Sequence, residues 1–265
     1  MTKCSPARRS IMARIAVTGA AGKIGRETLP ALSEHNVTAL THRDHDDIES
    51  TVIELEDKDC LVDAFTGYDS VVHMAANGSA TAPWESVNRI NIDGTYNVFD
   101  AAREAGIERV IFGSSNHITH MYNMPAPDEP SGTITDARSV STDDSFRPSS
   151  YYGVSKLAGE GLGSLYADRY GLEVINLRIG YLQTEATLRD HQDDEPKRAR
   201  QARAMYLSPR DYRQAIRLAV TVDLNQNPLT VNLVSRNDDR YHTLIEALRG
   251  LGYHPRDNSA EILDS

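Results

Sequence analysis

An α/β fold is predicted by two features of the chain. Short β-rich runs alternate with stretches of helical periodicity over residues 14–251, the pattern that parallel βαβ units produce. Between the first run and the first helix lies a glycine-spaced turn, Gly19-Ala-Ala-Gly22-Lys23-Ile24-Gly25, in the strand–turn–helix context where such a turn cradles a phosphate. Together they predict a Rossmann-type doubly wound parallel sheet with a small C-terminal substrate-covering region. Residues 1–12 are expected to be a disordered tail, 13–265 a single dinucleotide-binding domain, and 181–265 its substrate-covering part.

The elements follow in order. Residues 14–18 read as a strand, 25–34 as a helix and 37–41 as a second strand. A helix over 60–65 precedes a buried strand over 70–74 that enters Ala75-Ala76. Residues 87–105 have unbroken helical periodicity, ended by Gly106. The strand 109–112 runs into Gly113-Ser114-Ser115. A Pro-, Asp-, Ser- and Thr-rich stretch over 121–150 predicts a long loop, which in a compact domain is usually functional or mobile. Residues 152–170 read as a long helix stopped by Gly171, and 173–177 as a strand ending at Arg178. Beyond a polar stretch, helices are expected over 197–205, 211–220 and 242–251, with a strand over 230–234.

Composition bounds the function. A chain of 265 residues suffices for one large α/β core. No window approaches eighteen apolar residues, so no membrane span is expected, and no apolar signal core follows the basic start. Cys4 and Cys60 make neither a disulfide framework nor a metal cluster, which fits a reducing cytoplasm. The net charge of −10, with lysine only at five positions, looks like a salt-adapted surface and argues against nucleic-acid binding.

The glycine turn points to a dinucleotide. Gly19 would permit the tight turn, Gly22 the approach of pyrophosphate, and Gly25 close packing of the helix, with backbone N–H groups of Lys23 and Ile24 near the anion. An acidic residue at the end of the second strand would select NAD; this chain has His42-Arg43. Arg43 would hold an extra phosphate, which tilts the choice toward NADP, with NAD as the alternative. By position along the sheet, Glu54 and Leu55 would approach the adenine. Ala75, Ala76 and Asn77 would line the nicotinamide ribose.

Tyr152 and Lys156 lie one helical turn apart on a common face. A free phenol titrates near ~10, so it is a poor base at neutral pH. The Lys156 ammonium, with an oxidised nicotinamide, would favour the phenolate, which then removes a hydroxyl proton as hydride leaves carbon. Ser115 would hold the substrate oxygen, with Ser114 competing because register at a strand end is open. Asn116 and His117 would bond substrate hydroxyls, and Asn91 would help shape the site.

These residues together resemble the extended short-chain dehydrogenase/reductase family. The resemblance covers residues 14–178 and rests on Thr18-Gly19-Ala-Ala-Gly22-Lys-Ile-Gly25, His73-Met-Ala-Ala76, Asn91-Ile-Asp-Gly-Thr95 and Tyr152-Gly-Val-Ser-Lys156. It implies a catalytic set of Ser115, Tyr152 and Lys156, and a homo-oligomer. Phe112-Gly-Ser-Ser-Asn-His117 and Arg178-Ile-Gly180 are similar to the uronate dehydrogenase branch and its haloarchaeal sugar dehydrogenase relatives. That branch oxidises the anomeric carbon of an aldose, aldose phosphate or uronate to a lactone. The resemblance places Ser79, Ser115, Asn116, His117 and Tyr152 around the sugar. The branch also uses an arginine after the Arg-Ile-Gly strand for the substrate carboxylate. Here Arg189, Arg200 and Arg203 compete for that role, Arg189 is chosen, and Gln201 falls near the expected register. The rival expectations are a sugar-nucleotide epimerase or dehydratase of the same family, and a non-catalytic dinucleotide sensor.

Overall fold

A computed structural model describes residues 12–126 and 132–265. The tail expected over 1–12 lies, Met12 apart, outside the described residues, as does Cys4.

The chain begins with β1 (Arg14–Thr18), whose Ile15, Ala16 and Val17 are fully buried. It turns through the glycines into α1 (Lys23–Ala31), then β2 (Asn36–Thr41) and a short β3 (Thr51–Val52). The α2 helix (Lys58–Phe65) starts where the Asp57 carboxylate accepts from the Cys60 N–H at 3.0 Å. β4 (Ser70–His73) is buried throughout. Next come α3 (Trp84–Val87), a π-helical segment (Asn88–Asp93) and α4 (Gly94–Glu104). β5 (Arg109–Ser115) leads through two short turns into the loop before α5 (Tyr151–Tyr170). Ser150 caps α5 at one end, and Gly171, at φ 72°, ends it in a left-handed turn. β6 (Glu173–Ile179) and β7 (Tyr181–Leu182) follow, then α6 (Glu185–Asp190), α7 (Pro196–Ala204) and β8 (Tyr206–Leu207). The chain closes with α8 (Pro209–Thr221), β9 (Leu229–Leu233), α9 (Ile245–Leu251) and α10 (Ser259–Leu263).

Seven strands form one parallel sheet in the order β3-β2-β1-β4-β5-β6-β9. Alternation along each strand sorts side chains to two cores. Ile15, Val17, Ile111, Ile175 and Leu177 pack with α1, α8 and α9; Ala16, Val71, Val110, Phe112 and Val174 pack with α2, α4 and α5. The strand order reverses between β1 and β4, so the C-terminal ends of β1, β4 and β5 open a crevice there.

The 181–265 stretch divides between two jobs. α8 and β9 complete the main layers, whereas β7 pairs with β8 in a separate two-stranded sheet. The described part of the 121–150 loop is pinned at several points. Val140 N–H donates to the Tyr241 carbonyl at 2.7 Å, Asn123 Oδ1 accepts from Arg138 N at 2.9 Å, and the Arg138 guanidinium lies 4.2 Å from the Tyr122 ring centre. Among the described residues, no helix is long and apolar enough to cross a membrane.

Candidate active site

The glycine turn has the form a phosphate cradle requires. Gly19 has φ +68°, and a Cβ there would lie 2.5 Å from the Ala75 nitrogen. A Cβ on Gly25 would lie 2.2 Å from the Gly19 carbonyl oxygen, whereas one on Gly22 would meet only that oxygen, at 3.3 Å. Gly22, at the N-cap of α1, supplies no side-chain cap, and the first turn has no acidic residue, which leaves the helix N–H groups for an anion. These residues fit a dinucleotide pyrophosphate.

The end of β4 is fixed beside this turn by two small networks. Thr18 Oγ1 meets His73 Nδ1 at 2.7 Å, and His73 Nε2 meets Thr95 Oγ1 at 3.1 Å. Burial drives the His73 pKa down to about 3, so the imidazole is a neutral bridge between β1, β4 and α4. Asn91, in the π-helical segment, accepts from the Asn77 N–H at 2.7 Å and donates to the Asn77 carbonyl and to Ser155 Oγ, both at 3.0 Å. It thereby ties Ala75-Ala76-Asn77 to α5.

A pocket of about 380 Å³ joins the turn to the end of β5. It is lined by Gly19, Gly22, Lys23, Ile24, Gly25, Ala76, Ser114, Ser115, Asn116, His117, Tyr152 and Lys156, all expected from the sequence. Met74, Gly78, Gly113, Ile179, Gly180 and Tyr181 also line it and were not expected there. Gly180 had a signal, the Arg178-Ile-Gly180 motif: a Cβ on it would lie 2.6 Å from the Met205 carbonyl oxygen. A larger cleft of about 730 Å³ between α5 and α9 contains none of the expected site residues.

The two serines have different partners. Ser114 Oγ donates to Glu160 at 2.5 Å, and Glu160 takes two bonds of 2.9 Å from Arg178. Ser115 Oγ accepts from the His117 N–H at 3.2 Å and donates to Asn116 Oδ1 at 3.4 Å, and it lies close enough to the Tyr152 hydroxyl to favour the phenolate. Burial pushes the Tyr152 phenol up, against the pull of Ser115. Burial also drives the Lys156 ammonium down to about 7. Its Nζ lies 5.7 Å from the Tyr152 ring centre and 4.9 Å from that of Phe112. His117 bonds Ser149 Oγ at 3.0 Å, and burial lowers its pKa to about 4.

Other expected residues lie away from the pocket. His42 and Arg43 are exposed just beyond β2. Glu54 borders a separate shallow depression with Glu56, Asp57, Lys58 and Asp59, while Leu55 packs against Gly94. Ser79 is exposed and pairs with Thr81 at 3.0 Å. Arg189 corrects the substrate assignment: its guanidinium is held by the Ile262 carbonyl and by Ser265 Oγ at the C-terminus, so it does not reach the pocket. Arg200 and Arg203 are likewise engaged, with the Thr133 carbonyl and with Asp239 and Gln192. Gln201 bonds His120 at 2.6 Å and the Gly132 N–H at 2.7 Å.

A glycine cradle meeting a buried Ser–Tyr–Lys cluster at a sheet's switch point defines a class, the dinucleotide-binding Rossmann proteins. Within that class the chain belongs to the NAD dependent epimerase/dehydratase family, which it matches over residues 15–209. It is 52% identical over 254 residues to L-arabinose 1-dehydrogenase (NAD(P)(+)) of Haloferax volcanii, covering 96% of this chain and 100% of that protein. It is 34% identical to the NAD-dependent glucose-6-phosphate dehydrogenase of the same organism, covering 93% and 94%. The fold is similar to that of Agrobacterium tumefaciens uronate dehydrogenase solved with NAD (TM-score 0.76, 26% identity, 94% and 87% covered).

Proposed function

We propose that this chain is an NAD(P)-dependent sugar 1-dehydrogenase that oxidises the anomeric carbon of an aldose to the lactone. The observation that carries this reading is the convergence of Ser115, Tyr152 and Lys156 on the pocket beside the glycine cradle, in a chain 52% identical along its length to an L-arabinose 1-dehydrogenase. Gly19, Gly22, Lys23, Ile24 and Gly25 hold the dinucleotide, with Ala76, Asn77 and Asn91 shaping its nicotinamide end. The bound nicotinamide supplies the hydride acceptor. Ser115 holds the C1 oxygen of the sugar. Tyr152, as phenolate, takes the C1 hydroxyl proton, and Lys156 favours that phenolate by its charge.

A neutral aldose is the preferred substrate in this reading. A carboxylate or phosphate calls for a guanidinium, and Arg189, Arg200 and Arg203 are all engaged elsewhere. Arg43 beyond β2 supports NADP as the better cofactor, with NAD also used. The exposed Trp84, Tyr96, Tyr151, Leu165 and Tyr170 of α3, α4 and α5 support a homo-oligomer, and the acidic surface supports a salty cytoplasm.

The test is a panel of neutral aldoses, aldose phosphates and uronates with NAD and NADP, run on the native protein and on Tyr152→Phe. Neutral aldoses should be oxidised. Tyr152→Phe should lose turnover by roughly 100- to 10,000-fold while still binding dinucleotide. A panel inert with every sugar would refute the reading.

A further inference from the structure

Behind His117, the described residues include four buried polar atoms without a hydrogen-bond partner: His120 Nδ1, Thr133 Oγ1, the Tyr241 hydroxyl and His242 Nδ1. Their residues are only 2%, 1%, 5% and 3% exposed, respectively. Buried polar groups are nearly always paired, so four orphans together call for an explanation.

The four groups lie near one another and behind the pocket wall formed by His117 and Tyr181, and none of them is among the residues that line it. The Tyr241 and His242 rings are 4.6 Å apart, and His242 acts electrostatically on His120. Thr133 approaches the Tyr241 hydroxyl closely enough to oppose the rise that burial imposes on it, without bonding geometry. The His120 ring lies 5.2 Å from that of His117, which lies 5.6 Å from that of Tyr152. Tyr181, which lines the pocket, packs in the same cluster as Tyr241.

Hydrogen-bond logic fixes what His120 offers. Gln201 Oε1 accepts from the Gly132 N–H, so its Nε2 is the donor toward His120 Nε2. His120 Nε2 therefore accepts, and the neutral ring carries its proton on Nδ1, a buried donor without an acceptor in bonding geometry. A sugar hydroxyl both accepts and donates, and so suits this nitrogen and the neighbouring hydroxyls. An anion does not suit it, because the nearby guanidinium of Arg178 is committed to Glu160 and the Thr142 carbonyl, and that of Arg200 to the Thr133 carbonyl.

We propose that His120, Thr133, Tyr241 and His242 form a subsite that binds the hydroxyls of a neutral sugar remote from its anomeric carbon. The inference rests on the sugar-dehydrogenase reading above and deepens it. Tyr241→Phe and Thr133→Val each remove one polar atom at nearly constant volume. For each variant, KM and kcat are measured with the best aldose and with its single-deoxy analogues, alongside dinucleotide Kd. KM should rise about tenfold or more with kcat held within about threefold, and dinucleotide Kd should not change. A deoxy sugar that the native enzyme handles poorly should suffer no further loss in the matching variant. If Tyr241→Phe fails to fold, Thr133→Val carries the same comparison. Unchanged KM and an unchanged deoxy pattern would mean that the groups hold ordered water only, and the subsite is overturned while the enzyme reading stands. A native protein that oxidises no aldose overturns both.

Discussion

Ser114 and Ser115 are one step apart on β5, and in the proposed function that step separates a structural hydroxyl from a reacting one. Ser114 is committed to the buried Glu160–Arg178 pair, whereas Ser115 is free of that pair and faces the Tyr152 phenol, whose ionised form it favours. Ser115→Ala should therefore lower kcat by roughly 100-fold, with little change in thermal midpoint. Ser114→Ala should leave kcat within a few-fold and destabilise the fold by about 1–3 kcal/mol, because a buried carboxylate loses a donor. Steady-state kinetics and thermal unfolding of the two variants separate these outcomes; equal kinetic losses would contradict the assignment. Spacing alone left this pair open, since both serines are small and adjacent and only the partners brought by α5 and β6 distinguish them. The same limit explains Arg189, whose partners at Ile262 and Ser265 lie over 70 residues away in sequence.

Helix α5 shows what an element must satisfy to carry Tyr152 and Lys156 to the sheet edge. A methyl on Gly153 would lie 2.6 Å from the His117 carbonyl oxygen, so this residue lets the helix start close against the loop that bears His117. Gly161, in the same helix, is exposed and has nothing within 4 Å of an added Cβ. Gly161→Ala should stabilise the protein by about 0.5–1 kcal/mol through helix propensity. Gly153→Ala should lower both the thermal midpoint and kcat. Chemical denaturation of both variants checks the contrast, and an equal response would show that the close approach has no consequence.

Local patterns made most of the elements readable: β1, the glycine turn, the Gly171 stop of α5 and the Tyr152–Lys156 spacing all depend on neighbours in sequence. The 87–105 stretch read as one helix but contains the π-helical Asn88–Asp93 segment. Its shifted hydrogen bonding brings Asn91 to Asn77 and Ser155, partners that no periodicity reveals. The fully buried Arg109 was equally silent in sequence. It bonds the carbonyls of Ala219, Val220 and Val222 at the end of α8, contacts that exist only once the sheet has formed.

At the scale of the whole molecule, burial sets how stability responds to pH. His73, His120 and His242 are lowered from 6.5 to about 3, and His117 to about 4, in each case by desolvation first. The unfolded chain thus binds more protons than the folded one between about pH 6.5 and 3, so stability is lost as pH falls through that window. Lys156, lowered from 10.5 to about 7, acts in a second window with the same sign: stability rises as pH climbs from 7 toward 10.5. Thermal midpoints across both windows check this, and His117→Gln should reduce the acid slope; a flat profile would contradict the buried neutral histidines.

The function proposed for the sheet, the glycine cradle and the Tyr–Lys pair comes down to one event, transfer of hydride from C1 of a sugar. The direct measurement follows an aldose carrying deuterium at C1, incubated with the oxidised dinucleotide. The account requires deuterium at C4 of the reduced nicotinamide and a lactone as the sugar product. Reduced dinucleotide without the label, or an oxidised carbon other than C1, would contradict it.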